Sequence, residues 1–140
     1  MKENIIDIIM KKRIFYFLYY WFPVLFLCLV IFIQSSYPAV EELPRFPYVD
    51  KLIHFLVYAL LGSLFIRGFK NSRYKYNVKF IAMTSILLTG LYGLSDEIHQ
   101  HYVLYRTADI WDGLFDFFGG VFGVYTYEIL SSKSSKRSEN

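Results

Sequence analysis

Apolar residues along this chain gather in four long runs, at about residues 14–34, 52–69, 78–98 and 110–130, separated by short stretches rich in Pro, basic or polar side chains. The first run carries no charge across 21 residues. At about 1.5 Å rise per residue that length matches the roughly 30 Å hydrocarbon core of a bilayer, and a core helix of a soluble domain has no need of it. The pattern predicts an all-α integral membrane four-helix bundle. It forms one domain, residues 14–130, between an N-terminal segment, 1–13, and a Ser- and Lys-rich tail, 131–140, expected to be disordered.

Polar positions break this pattern at one end of three runs. Asp50, Lys51 and His54 open the second, Asp96, Glu97, His99 and Gln100 close the third, and Arg106, Asp109, Asp112 and Asp116 open the fourth. Ionisable side chains are costly at bilayer depth and persist mainly where they pair, face a bundle interior or touch water. At about 100° per residue, Asp109, Asp112, Asp116, Gly119 and Gly123 fall within roughly 80° of one another. Gly119 and Gly123 form a GxxxG that admits a second helix closely, and Asp116 lies about 10 Å deeper than Asp109. Asp50 and His54 are one turn apart and share a sector with Lys51 and Tyr58. Asp96, His99 and Gln100 share one with Thr89, Tyr92 and Gly93. Glu97 is rotated about 100° from Asp96, so the two acids need not do the same job.

Composition agrees with a membrane setting: 55% of the residues are hydrophobic and 21% aromatic. The net charge of +3 says less than its distribution. Lys2, Lys11, Lys12, Arg13, Arg67, Lys70, Arg73, Lys75, Lys79, Lys133, Lys136 and Arg137 fall on one side of the spans, and Arg45, Lys51 and Arg106 on the other. By the positive-inside rule both termini are cytoplasmic, an N-in/C-in topology. Glu41, Glu42, Asp50, Asp96, Glu97, Asp109, Asp112, Asp116 and all three histidines then lie outside or at the outer ends of the spans. The basic residues flank apolar runs and form no stripe with stacking aromatics, so nucleic acid binding is not implied. The first run is too long for a signal-peptide core and lacks a small-x-small cleavage pattern, and reads as a retained anchor. The lone Cys28 permits neither an internal disulfide nor a CxxC site.

Simpler roles stand beside the functional ones. Asp50, Asp109 and Asp112 suit the first turn of a helix through the macrodipole, whereas Asp116, two turns in, does not. His54 alone would read as a hydrogen-bonded core histidine, and Arg106 as a charge partner for Asp109, Asp112 or Glu97, or else as a clamp for a phosphate or carboxylate.

The motifs Asp50-Lys51-x-x-His54-Phe55-x-x-Tyr58, Ser95-Asp96-Glu97-x-His99-Gln100 with the following Arg106, and Asp112 leading to Gly119 and Gly123 together resemble the VanZ-like family of small bacterial integral membrane proteins. Gln34, Ser35 and Ser36 resemble the family's short polar segment after the first span. The resemblance covers about residues 14–130 and implies a multi-pass protein of the bacterial cytoplasmic membrane. The family's named member is associated with resistance to the glycopeptide antibiotic teicoplanin. One departure stands out: where the family commonly has Asn four residues after the span-four Asp, this chain has Asp116.

Three functions fit these residues. The first is an envelope-facing protein that acts on or binds a lipid-linked or peptidoglycan precursor. In it His54 or His99 serves as acid or base, Asp50 and Asp96 orient the imidazoles, and Glu97 acts as a second acid/base. Lys51, Arg106, Gln100, Asp112 and Asp116 then hold the head group. Converging Asp, Glu and His side chains also admit a divalent cation, although no fixed spacing demands one. The second is a membrane scaffold or assembly partner, homo-oligomers included, whose polar cluster is structural. The third is an ion-coupled transporter, disfavoured because Glu128 is the only acid in the inner halves of the spans, near the cytoplasmic end. Whether the chain is an enzyme is left open by these residues.

Overall fold

The computed structural model describes residues 5–37, 48–72, 76–104, 106 and 109–138. They form α1 (Ile5–Ser36), α2 (Val49–Lys70), α3 (Val78–His101) and α4 (Ile110–Ser138), with no strand among the described residues. The all-helical, four-helix expectation holds. Two boundaries differ from the apolar runs. α1 begins at Ile5 and continues through Lys11, Lys12 and Arg13, so its 32 residues extend about 48 Å, well past the thickness of a hydrocarbon core. α4 continues to Ser138, past the end of its apolar run at residue 130. Once a helix is nucleated each added residue gains a backbone bond, so the apolar part of α4 propagates into the Ser/Lys segment. The Ser131 and Ser132 hydroxyls also donate back to the carbonyls of Glu128 and Ile129.

α1 and α3 end, and α2 and α4 begin, at the same end of the bundle. Ser36 meets His99 there, and Lys51 meets Asp109 and Asp112. α2 packs most extensively on α4, while α1 lies against α2 and α3. The α2–α4 seam is built from small residues. A Cβ on Gly119 would overlap the Phe55 carbonyl, one on Gly123 the Ala59 carbonyl, and one on Gly62 would stand 2.6 Å from the Gly120 oxygen. This is the close helix approach that the GxxxG predicts, with α2 as its partner. Ser63 fastens the seam by donating to both Ala59 O and Gly123 O at 2.9 Å.

Burial is inverted relative to a soluble domain. The interior holds Ser35, Ser85, Thr89, Asp96, Glu97, Gln100, Asp112 and Asp116 beside a small apolar set that includes Tyr58, Leu61, Ile66 and Val124. Leu52, Leu56 and Leu60 of α2 and Met83, Leu87, Leu91 and Leu94 of α3 line the outside. Soluble monomers rarely expose contiguous apolar patches beyond about 300–600 Å². Here apolar stripes cover each helix, which is stable when lipid is the solvent. α1, α2 and α3 are long and apolar enough to cross a membrane. α4 is less apolar, because it carries Asp112, Asp116 and Glu128. Pro23 sits within α1 without ending it, as membrane helices tolerate.

α2 opens abruptly. Tyr48, just before it, has φ 74° in the left-handed region, an uncommon and strained conformation for a bulky side chain. That turn sets Asp50 and Lys51 in the first helical turn. Tyr48 itself contributes no capping hydrogen bond from its side chain.

Candidate functional site

Helix periodicity places Lys51, His54 and Tyr58 on the face of α2 that meets α4, and Asp112 and Asp116 on the answering face of α4. The two stripes pair rung by rung. At the outer rung Lys51 Nζ donates to Asp109 Oδ2 at 2.8 Å and to Asp112 Oδ1 at 2.6 Å. One turn deeper His54 Nδ1 lies 2.9 Å from Asp116 Oδ1. Asp116 is 1% exposed, so the carboxylate that departs from the resembling family's Asn sits on the bundle axis, in contact with the candidate histidine. Gly93 of α3 makes room for it: a Cβ there would stand 3.0 Å from the Asp116 Cβ and 3.2 Å from the Tyr58 ring.

α3 supplies the third wall. Glu97 Oε2 accepts the backbone N–H of Asp109 at 3.1 Å, which ties the end of α3 to the start of α4. Its Oε1 is buried and has no hydrogen-bond partner, and neither do the buried Asp116 Oδ2 and Tyr58 hydroxyl. The ligand atoms of His54, Glu97 and Asp116 lie within 4.8 Å of one another, as do those of Asp50, His54 and Asp112 nearer the surface. Asp96 is buried beside this wall and accepts from Gln100 Nε2 at 3.1 Å. Asp50 is exposed in the first turn of α2, at the end of the bundle. The Tyr58 ring lies parallel to the His54 imidazole, with centroids 6.4 Å apart.

The structure separates two residues from this centre. His99 turns to α1, where Nε2 is 3.0 Å from Ser36 Oγ and the ring packs 4.8 Å from Phe32. Arg106 donates through Nε to Tyr37 O and through Nη2 to Gln34 O, so its partners are the backbone carbonyls at the end of α1. The ion pair with Asp109 or Asp112 expected of Arg106 is made by Lys51. Helix position decides this: Lys51 shares the α2–α4 seam with both acids, whereas Arg106 lies beside the terminal carbonyls of α1, which the helix itself leaves short of donors. Helical periodicity does not predict the contact between Ser36 and His99, whose one sequence signal is the polar Gln34-Ser35-Ser36 stretch.

Outside the helices, the Lys51 ammonium and the Trp111 N–H that Asp109 Oδ1 accepts hold the Asp109 carboxyl below its ordinary range. The buried set is rich in acceptors and poor in donors. Lys51 and His54 face Asp50, Asp96, Glu97, Asp109, Asp112 and Asp116, so the polar cluster favours cations and hydrogen-bond donors over bare anions.

A family model described as VanZ/LLP1 matches residues 15–131. An uncharacterized protein of Schizosaccharomyces pombe is 33% identical over 90 residues, which are 64% of this chain and 52% of that protein. The chain thus spans about half the length of the curated relative it matches, and sequences of this kind are not confined to bacteria. No solved structure matches it.

Proposed function

Because the chain belongs to the VanZ/LLP1 family, we propose that it is a multi-pass membrane protein whose polar end binds, or acts by acid–base chemistry on, the head group of a lipid-linked envelope precursor. The observation that carries this reading is the imidazole of His54, held at 2.9 Å by the buried Asp116 and one turn from the exposed Asp50. A histidine oriented by a buried carboxylate at the edge of a polar cluster is a general base or acid in waiting. Glu97 is the second acid/base group and, through its unpartnered Oε1, a further acceptor for the head group, and Asp96 with Gln100 stands beside it. Lys51 closes the rim through its two aspartates, and Asp112 and Asp116 accept donors of the head group. His99 and Arg106 set the position of α1 against that rim.

The distribution of Lys and Arg supports an N-in/C-in topology, which puts this end at the outer leaflet, where such head groups lie. In a bacterial host the same chemistry would place the protein in the response to glycopeptides such as teicoplanin. Deleting the gene would then change teicoplanin susceptibility, and a His54→Ala copy would not restore it. The direct test is purified protein in nanodiscs offered prenyl-phosphate-linked precursors. Saturable binding or turnover that depends on His54 supports the reading; neither binding nor turnover, with or without divalent cations, removes it.

A further inference from the structure

The geometry points to a divalent transition-metal site formed by His54 of α2, Glu97 of α3 and Asp116 of α4, taking zinc or manganese in preference to magnesium or calcium. It deepens the proposed head-group site: with an ion bound, His54, Glu97 and Asp116 would act as ligands and the acid–base role would pass to a water on the ion. The site therefore rests on that reading only for its purpose, not for its ligands. Three observations converge. The three ligand atoms lie within 4.8 Å of one another, and the His54 to Asp116 distance of 2.9 Å is already near the roughly 3.4 Å that separates neighbouring ligands around a tetrahedral ion bonded at about 2.1 Å. Glu97 Oε1 and Asp116 Oδ2 are buried lone-pair donors that no proton donor satisfies. Glu97 and Asp116 are 7% and 1% exposed, so water does not readily meet that need from outside. A buried acceptor without a partner costs about 1–3 kcal/mol, more when charged, and a dication removes that cost at two atoms together.

The donor set decides which ion. One imidazole and two carboxylates leave positions open for water or substrate and suit zinc, manganese or iron, whereas magnesium and calcium prefer an all-oxygen shell. The supports behind the ligands fit the same role. The Asp109 N–H fixes Glu97 through its other oxygen, and Gly93 admits the Asp116 side chain against Tyr58. The shallower set of Asp50, His54 and Asp112 shares the histidine, but the Lys51 ammonium sits 2.6 Å from Asp112 and repels a second positive charge there. An ion in the deeper site also resolves the charge problem of the polar cluster. A phosphate entering among these carboxylates needs a counter-charge beyond Lys51 and His54, and the metal supplies it there.

The test is isothermal titration of the full chain in nanodiscs, stripped with chelator, using the chlorides of zinc, manganese, magnesium and calcium alone. One zinc or manganese ion per chain, bound roughly a hundredfold or more tighter than magnesium or calcium, is expected. Asp116→Asn and Glu97→Gln should weaken it by roughly a hundredfold or more, beyond the loss typical of an outer-shell change, while Glu128→Gln, paired with Lys70 at the opposite end of α4, leaves it unchanged. X-ray absorption on the zinc-loaded wild type, expected to show one imidazole with oxygen ligands, stands even where a variant fails to fold. No saturable binding, binding indifferent to Asp116→Asn in a folded variant, or a shell without imidazole overturns the site. Precursor binding by chelator-stripped protein would leave the lipid reading standing when the metal fails.

Discussion

His54 of α2 and Asp116 of α4 meet at 2.9 Å on the axis of the bundle, with Asp116 1% exposed. Their contact joins the two helices where the Asp116 carboxylate is shut off from water and the His54 side chain is only 13% exposed. It ties fold and chemistry together, because the seam that brings α2 against α4 is also the one that presents the imidazole to the polar cluster.

Removing either partner therefore strands the other. A His54→Leu variant should lose about 3–5 kcal/mol of stability, the range for a buried pair broken on one side. Asp116→Asn, which restores the residue common in the resembling family and can still hydrogen-bond, should lose far less. Reversible unfolding in mixed micelles, read as a double-mutant cycle, gives the coupling. Additive effects of the two substitutions would show that the pair is not formed.

The α2–α4 seam should be intolerant of side chains. Gly123→Val places carbon within the Ala59 carbonyl, and Gly119→Val does the same at Phe55. Each should cost about 1–3 kcal/mol or more, the scale of overpacking, and lower the yield of monodisperse protein. Gly113→Ala is the control, since its Cβ would meet only Glu97 Cγ at an ordinary 3.7 Å. Thermal melts of the three variants check this.

Most of the helix layout was legible because uninterrupted apolar runs of about twenty residues have few alternatives in a bilayer. Helical periodicity also brought out the stripe of Asp112, Asp116, Gly119 and Gly123, which the structure sets against α2. Periodicity fixes a face but not the neighbour that meets it. Lys51 rather than Arg106 therefore took Asp109 and Asp112, and His99 turned to Ser36 instead of the polar cluster. The starts and ends of α1 and α4 were hidden for another reason: charged and Ser-rich residues look like solvent segments, yet once next to a formed helix they extend it.

Acid should loosen the outer rung. Lys51 and Trp111 lower the Asp109 pKa in the folded state, so the carboxylate contributes stability above its ordinary pKa. That contribution is lost as pH falls through the lowered folded value. Melting temperature followed downward from about pH 5 through the acid range below the ordinary carboxylate pKa should fall less in Asp109→Asn than in the wild type. Identical profiles would show that the bridge carries no linkage.

Tyr48 offers a stabilising change. Its φ of 74° favours glycine, and its side chain is 79% exposed and offers no cap. Tyr48→Gly should raise stability by about 1 kcal/mol, because the relief of left-handed strain exceeds the added freedom of the unfolded chain. A lower melting temperature would mean that the exposed ring contributes more than the backbone conformation costs.

The polar end is proposed to bind a lipid head group, and the rival account is a bundle held together by the same charges. Glu97→Gln separates them, because it keeps the shape of the side chain and the acceptor for the Asp109 N–H. The decisive measurement is the binding of a prenyl-phosphate-linked precursor to nanodisc-embedded wild type and Glu97→Gln, with the melting temperature of each sample recorded. The account predicts an unchanged melt and at least a roughly tenfold weaker affinity, the loss of about 1.4 kcal/mol of head-group interaction. Equal affinity at equal stability, or affinity lost only in step with folding, would contradict it.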